Sequence, residues 1–304
     1  MNKQVNFAKD FKPNFSGHET FSLRYGWLEK SFQAIVNNRD NPFIKDDAIA
    51  QFGVGKNMVN AIKHWAVATG FLETTDESYA PSKYAKQIMD PNADPFLEAT
   101  DSIWKIHYEL AKNPRNTTIY FIFNYLNENA FDRSTLSLRL LDFLASNELK
   151  IPADKTLLSD INVSLANYSN KTKKTAREDD IASPLSELRL LRTLGDGRYS
   201  FNLGTKPSLS QKLFLSCFVD FWHSSSEQGT INGNTIRFEQ ILHAPGSPGR
   251  LFLLDEKELT IRLEDIETLS NGHLIWSETS GMQQIAKTAK FNLSELSATL
   301  ENDK

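Results

Sequence analysis

The sequence holds a single cysteine, Cys217, inside the apolar run LFLSCFVDFW. One thiol excludes an intramolecular disulfide and any cysteine-rich zinc site. Its apolar neighbours make Cys217 core filler. No apolar run reaches membrane-spanning length and no signal peptide is recognisable at the start of the chain, so the expected compartment is the cytoplasm, with no membrane partner. Catalytic signatures are scarce as well. Gly53-Val54-Gly55-Lys56 lacks the glycine spacing and the Ser or Thr of a phosphate-binding loop. The dinucleotide fingerprint, HExxH, GxSxG and the deaminase zinc signature are all missing. Positive charge is not in excess either: 34 Lys and Arg against 38 Asp and Glu leave a formal net charge of −4. That excludes a generally cationic nucleic-acid binder and confines any such contact to local patches.

What is there is an ordinary globular composition, 40% hydrophobic and 24% charged over 304 residues, enough for two or three domains. The periodicity predicts a mostly α fold with small β-hairpins. We expect a winged helix-turn-helix domain over residues 1–90, a helical domain over 91–170 beyond the Pro91 and Pro95 boundary, and a C-terminal region over 171–304 holding a second winged-helix-like unit and further helices.

The first unit is read from Asp46 to Ala80. A short helix runs to Phe52, a Gly53-Val54-Gly55 turn follows, and a longer helix runs from Lys56 to Thr69 until Gly70 stops it. A hairpin then returns through Tyr79. With each residue placed about 100° on from the last, Lys56, Asn57, Asn60, Lys63, His64 and Val67 share one arc. Met58, Val59, Ile62, Trp65, Ala66 and Thr69 share the other. The first arc suits DNA, since Lys neutralises phosphate and Asn pairs with an adenine edge or a phosphate; it equally suits a solvated surface. The hairpin tip carries Glu73, Asp76 and Glu77, which phosphate would repel.

The second unit is expected at Ser183 to Phe201. A short helix from Ser183-Pro184 leads to a hairpin turned by Asp196-Gly197, whose Arg192 and Arg198 reverse the charge of the first hairpin. These two arginines complete the DNA-contact set expected here. Before it, Lys171, Lys173, Lys174 and Arg177 meet Glu178, Asp179 and Asp180, a charge run that suits solvated surface or a phosphate-contacting loop. Further on, Ser208 to Trp222 is apolar nearly all round and predicts a buried helix. Helices are expected over 236–242 and 255–269, a strand over Leu274-Ile275-Trp276, and a closing helix from Thr279 to Thr288.

If the chain is catalytic, the densest candidate cluster is Ser16, His18, Glu19 and Arg24. His18 is the candidate general base, Glu19 its orienting carboxylate, and Arg24 the group that stabilises charge developing on phosphorus. The same residues suit a rigid turn whose polar groups cap neighbouring helices.

Three stretches together carry a resemblance: Phe15-Ser16-Gly17-His18-Glu19-Thr20-Phe21 with Arg24-Tyr25-Gly26-Trp27-Leu28, then Gly53-Val54-Gly55-Lys56-Asn57-Met58-Val59, then Ala244-Pro245-Gly246-Ser247-Pro248-Gly249-Arg250. The chain resembles a bacterial family long catalogued as a domain of unknown function, whose members sit in phage-defence and DNA-modification loci. The resemblance implies DNA as partner and a role in phosphorothioation, in which sulfur replaces a backbone oxygen. It implies a nickase, with a divalent metal as cofactor if it cuts, and three further partners: a cysteine desulfurase, an ATPase and a PAPS-reductase-like enzyme. The alternatives are a non-catalytic winged-helix adaptor and a transcriptional regulator. The resemblance assigns no cutting residue.

Overall fold

Trp27–Asn37 (α1) lays Trp27, Leu28, Ala34 and Ile35 into the core, and Ala48–Phe52 (α2) and Lys56–Ala68 (α3) follow. The structure, a computed structural model, describes residues 5, 7, 11–37, 41–44, 48–76, 78–169, 182–279 and 281–288. The expected charge run over 171–180 and Glu77 lie outside them. Gly53 turns the chain between α2 and α3 at φ 65°, a left-handed value that costs glycine nothing. The two arcs of α3 separate as the angles require. Val59, Ile62, Trp65 and Ala66 are buried, while Lys56 and Asn57 are exposed and Asn60, Lys63 and His64 half-buried. Gly70, at φ 67°, ends the helix with its N–H on the Val67 carbonyl. Leu72–Thr74 (β1) and Tyr79–Pro81 (β2) then pair antiparallel.

Lys83–Ile88 (α4), Thr100–Lys112 (α5) and Thr117–Asn124 (α6) continue the helical stack. His107 is fully buried on α5, its Nδ1 2.8 Å from the Tyr168 hydroxyl. A strand not expected from the sequence, Ala130–Phe131 (β3), precedes Arg133–Ser146 (α7). The α7 N-cap is Asp132, whose carboxylate accepts from the Thr135 N–H. Asp154–Tyr168 (α8) buries Leu157, Ile161 and Leu165. A short 3-10 helix, Pro184–Leu188, leads to the Asp-Gly hairpin of Leu191–Thr193 (β4) and Tyr199–Phe201 (β5). Strand β3 joins this hairpin to give the order β3-β5-β4.

The chain divides into two compact units, Met1–Phe201 and Asn202–Lys304. Pairing of β3 with β5 spans the boundary expected at 170–171. Asn116 spans the one expected at 90–91 by donating to the Ala68 carbonyl at 2.8 Å.

In the second unit Gln211–Glu227 (α9) buries Phe214, Phe218, Val219 and Trp222, with Cys217 fully buried among them. Next come Thr235–Arg237 (β6), Phe238–His243 (α10), Pro248–Leu251 (α11), Glu256–Glu264 (α12) and Ile266–Leu269 (α13). Leu274–Thr279 (β7) and Met282–Lys287 (β8) close the described chain. The closing helix expected from Thr279 to Thr288 is therefore a strand, turned at Gly281 with φ 76°. Its strand order, β6-β8-β7, repeats that of the first three-stranded sheet. In both cases the chain runs helix, strand, helices, hairpin, with the last strand in the middle.

Candidate functional site

Residues 17–20 turn sharply. Gly17, Glu19 and Thr20 have φ of 105°, 50° and 69°. Left-handed backbone at two consecutive non-glycine residues costs of order 1 kcal/mol each, so the surrounding structure must hold them there. The holding groups are identifiable. His18 is 4% exposed, and its Nε2 lies 3.1 Å from Oδ1 of Asp160 on α8. The Thr20 N–H donates to His18 Nδ1 at 3.0 Å. Because Nδ1 accepts, the ring proton sits on Nε2 and is donated to Asp160. Leu23 N–H donates to Oδ1 of Asn167, also on α8, at 3.0 Å. On the other side the Trp65 indole of α3 donates to the Phe21 carbonyl at 3.0 Å, and Asn60 donates to Glu19 at 3.3 Å. The segment is thus a clamp between α3 and α8. The sequence suggested that Glu19 orients His18; in the structure Asp160 holds the imidazole and Asn60 the Glu19 carboxylate.

Two clefts flank the clamp. The first, about 1000 Å³, follows the polar arc of α3. Asn60, Lys63, His64 and Val67 line it, with Ser16, Gly17 and Glu19 from the clamp and Lys12 and Arg115 opposite. Lys56 and Asn57 do not line it; they stand exposed at the start of α3. His64 is pushed down to about 3, first by burial and then by the neighbouring His18, so it is neutral at physiological pH. Its Nδ1 would lie 2.7 Å from a Cβ at position 17, which only glycine avoids.

The second cleft, about 760 Å³, runs along α8 and is lined by Thr20, Phe21, Ser22 and Arg24 of the clamp together with Arg133, Lys155 and Tyr199. Arg24 lines this cleft and not the first: its guanidinium stacks over Phe21 and Trp27, 5.3 and 5.5 Å from the ring centroids. Arg192 and Arg198 are exposed and line neither cleft. Arg198 is held by Asp196 at 2.5–2.6 Å within its own turn, and those bonds keep the Asp196 carboxyl below its ordinary range.

Asp160, Lys12, Arg115, Arg133 and Lys155 were not singled out from sequence. For α8 a signal existed: Lys155, Ser159, Asn162 and Ala166 recur every three or four residues opposite Leu157, Ile161 and Leu165. For Asp160 there was none, since its partner lies 142 positions away.

The clamp contains the first of the three sequence stretches that carry the resemblance. The chain belongs to the family described as protein of unknown function DUF4007, whose model matches residues 15–302. The chain is SspB-like. It is similar to a crystal structure of SspB, with a TM-score of 0.81 at 25% identity over 94% of this chain and 86% of that one. A magnesium ion-bound crystal structure of SspB gives a TM-score of 0.82 at 24% identity, with the same coverage. No curated protein matches the sequence.

Proposed function

We propose that the chain is a DNA-binding protein of a bacterial phosphorothioation system, built from winged-helix units, that nicks DNA so that sulfur can enter the backbone. The observation that carries this is the α3 cleft, which sets Lys12, Lys63 and Arg115 around the polar arc of the helix that precedes a hairpin. In a winged helix that helix is the one that enters the groove. The repeated path of helix, strand, helices and hairpin supports the winged-helix reading for two further stretches, α6 to β5 and α9 to β8. The likeness to SspB supports the system. Sulfur-transfer proteins of the kinds named by the resemblance would act on the nicked strand.

Nicking is hydrolysis of one phosphodiester: water oxygen bonds to phosphorus, the P–O bond to one sugar breaks, and the leaving oxygen takes a proton. SspB has been crystallised with magnesium. Among the described residues, no group of three or more His, Cys, Asp or Glu side chains is placed to hold a metal ion. A second reading, a non-catalytic adaptor, is favoured by His18, whose ring nitrogens are both engaged inside the fold.

Supercoiled plasmid, incubated with the protein with and without Mg²⁺ or Mn²⁺, separates the two. Open-circular product that disappears with heat-denatured protein supports the nickase. Plasmid binding with no nick under either metal supports the adaptor, and absence of both binding and nicking overturns the DNA reading.

A further inference from the structure

We propose that the exposed face of α8, flanked by Arg24 and Arg133, is a second DNA-binding surface that takes the sugar-phosphate backbone of a duplex. The proposal rests on the DNA reading above and adds a surface that the α3 cleft does not include.

Three cations, Arg24, Arg133 and Lys155, line the α8 cleft, and among the described residues no carboxylate does. In a chain of net charge −4 such a concavity is a local departure from the average. Like-signed charge in a cleft focuses the field and favours a polyanion over a single small anion. The arginines are also set before any ligand arrives. Arg133 donates through Nε to Asn162 at 2.7 Å and through Nη2 to the Tyr199 hydroxyl at 2.9 Å, with its guanidinium 5.6 Å from the Tyr199 ring centroid. Arg24 lies over its two aromatic rings. Planar forks fixed by stacking lose little side-chain freedom on meeting phosphate.

The face between them fits a duplex. Ser159, Ala166 and Ser169 line the cleft with small side chains that let a backbone approach closely. Leu158, 46% exposed, offers apolar contact to a sugar, and the Asn162 amide, whose oxygen accepts from Arg133 Nε, can donate its NH2 to a phosphate. Helix α8 is the last α-helix before the hairpin β4-β5, as α3 is before β1-β2, with the short 3-10 helix Pro184–Leu188 between α8 and its hairpin. The clamp supplies a wall to both clefts, Ser16, Gly17 and Glu19 on one side and Ser22 and Arg24 on the other. His18–Asp160 and Asn60–Glu19 fix that wall to both helices.

The test is fluorescence anisotropy of a labelled duplex against full-length protein over a salt series. Lys155→Ala and Arg24→Ala should each weaken binding several-fold near 0.1 M salt and lower the log–log salt slope by roughly one phosphate, the double variant by about two. Lys155→Glu, at an exposed position, should weaken it further without altering the melt. Arg139→Ala, which removes an exposed cation outside both clefts, should leave binding unchanged. Wild-type affinity and slope in a folded double variant and in Lys155→Glu, while Lys63→Ala weakens binding, would place the DNA on α3 alone and overturn the proposal. The same result with an acidic peptide newly lost would reassign the cleft to a protein partner. If wild-type protein binds no duplex, this proposal falls together with the DNA reading.

Discussion

Gly249 illustrates how closely two helices of the second unit approach. A Cβ there would lie 2.6 Å from the Ile241 carbonyl oxygen, 2.6 Å from Leu242 Cα and 2.9 Å from the Leu242 oxygen, all backbone atoms with little room to move. Gly249→Ala should therefore cost about 1–3 kcal/mol by overpacking. It should lower Tm by several degrees in a thermal melt. Gly195→Ala, with nothing within 4 Å, should leave Tm unchanged. At the same scale, His64 makes stability depend on pH. Its folded pKa, about 3, lies below the ordinary 6.5, so between these values the unfolded chain binds the extra proton. The stabilisation is full above about pH 6.5 and is lost as pH falls toward 3, with a slope of at most about 1.4 kcal/mol per pH unit. Urea unfolding of wild type and His64→Gln at pH 7, 6, 5 and 4 checks this. The wild-type curve should be the steeper; parallel curves would mean that His64 titrates alike in both states.

Helix α3 shows what could be read in advance and α8 what could not. On α3 the polar and apolar arcs follow from spacing alone, because one helix face meets water and the other the core. The Asp196-Gly197 turn was equally legible: Gly197 adopts φ 84°, and the Leu194 N–H meets the Arg198 carbonyl. Strand β8 was not. Only Ile285 is buried along Met282–Lys287, so the alternation that marks a strand is missing, and Gln283, Gln284, Ala286 and Lys287 favour helix when read locally. Pairing with β6 and β7 on both sides overrides that preference. The clamp was legible as an unusual turn but not in its roles, since His18 and Leu23 find their partners more than a hundred positions away. At this scale the α3 face makes its own prediction. Lys56→Ala and Lys63→Ala should each weaken duplex binding and lower its salt slope by roughly one phosphate. Of the two, Lys63, which lines the cleft, should show the larger loss in a titration at fixed salt.

Over the whole molecule, charge and architecture are arranged separately. The chain as a whole is acidic, yet the cations of both clefts, Lys12, Lys63 and Arg115 on one side and Arg24, Arg133 and Lys155 on the other, belong to Met1–Phe201. That unit ends with β5, the central strand of its sheet, so a cut after Phe201 leaves every strand pair of that sheet intact. It also keeps its own core, with Trp104, Tyr108, Phe123, Phe131 and Tyr168 all fully buried. A protein of residues 1–201 should therefore fold alone, melt cooperatively, and bind duplex DNA within a few-fold of full-length affinity at the same salt slope. Residues 202–304, with a core around Phe214, Phe218, Trp222 and Phe252, should fold but bind duplex weakly or not at all. Matched anisotropy titrations of the three proteins, each first shown to be folded by circular dichroism, measure this directly. A folded 1–201 protein that loses most of its affinity would mean that phosphate contacts extend into the second unit. Its repeated helix, strand, helices and hairpin path would then be a third DNA-contacting copy.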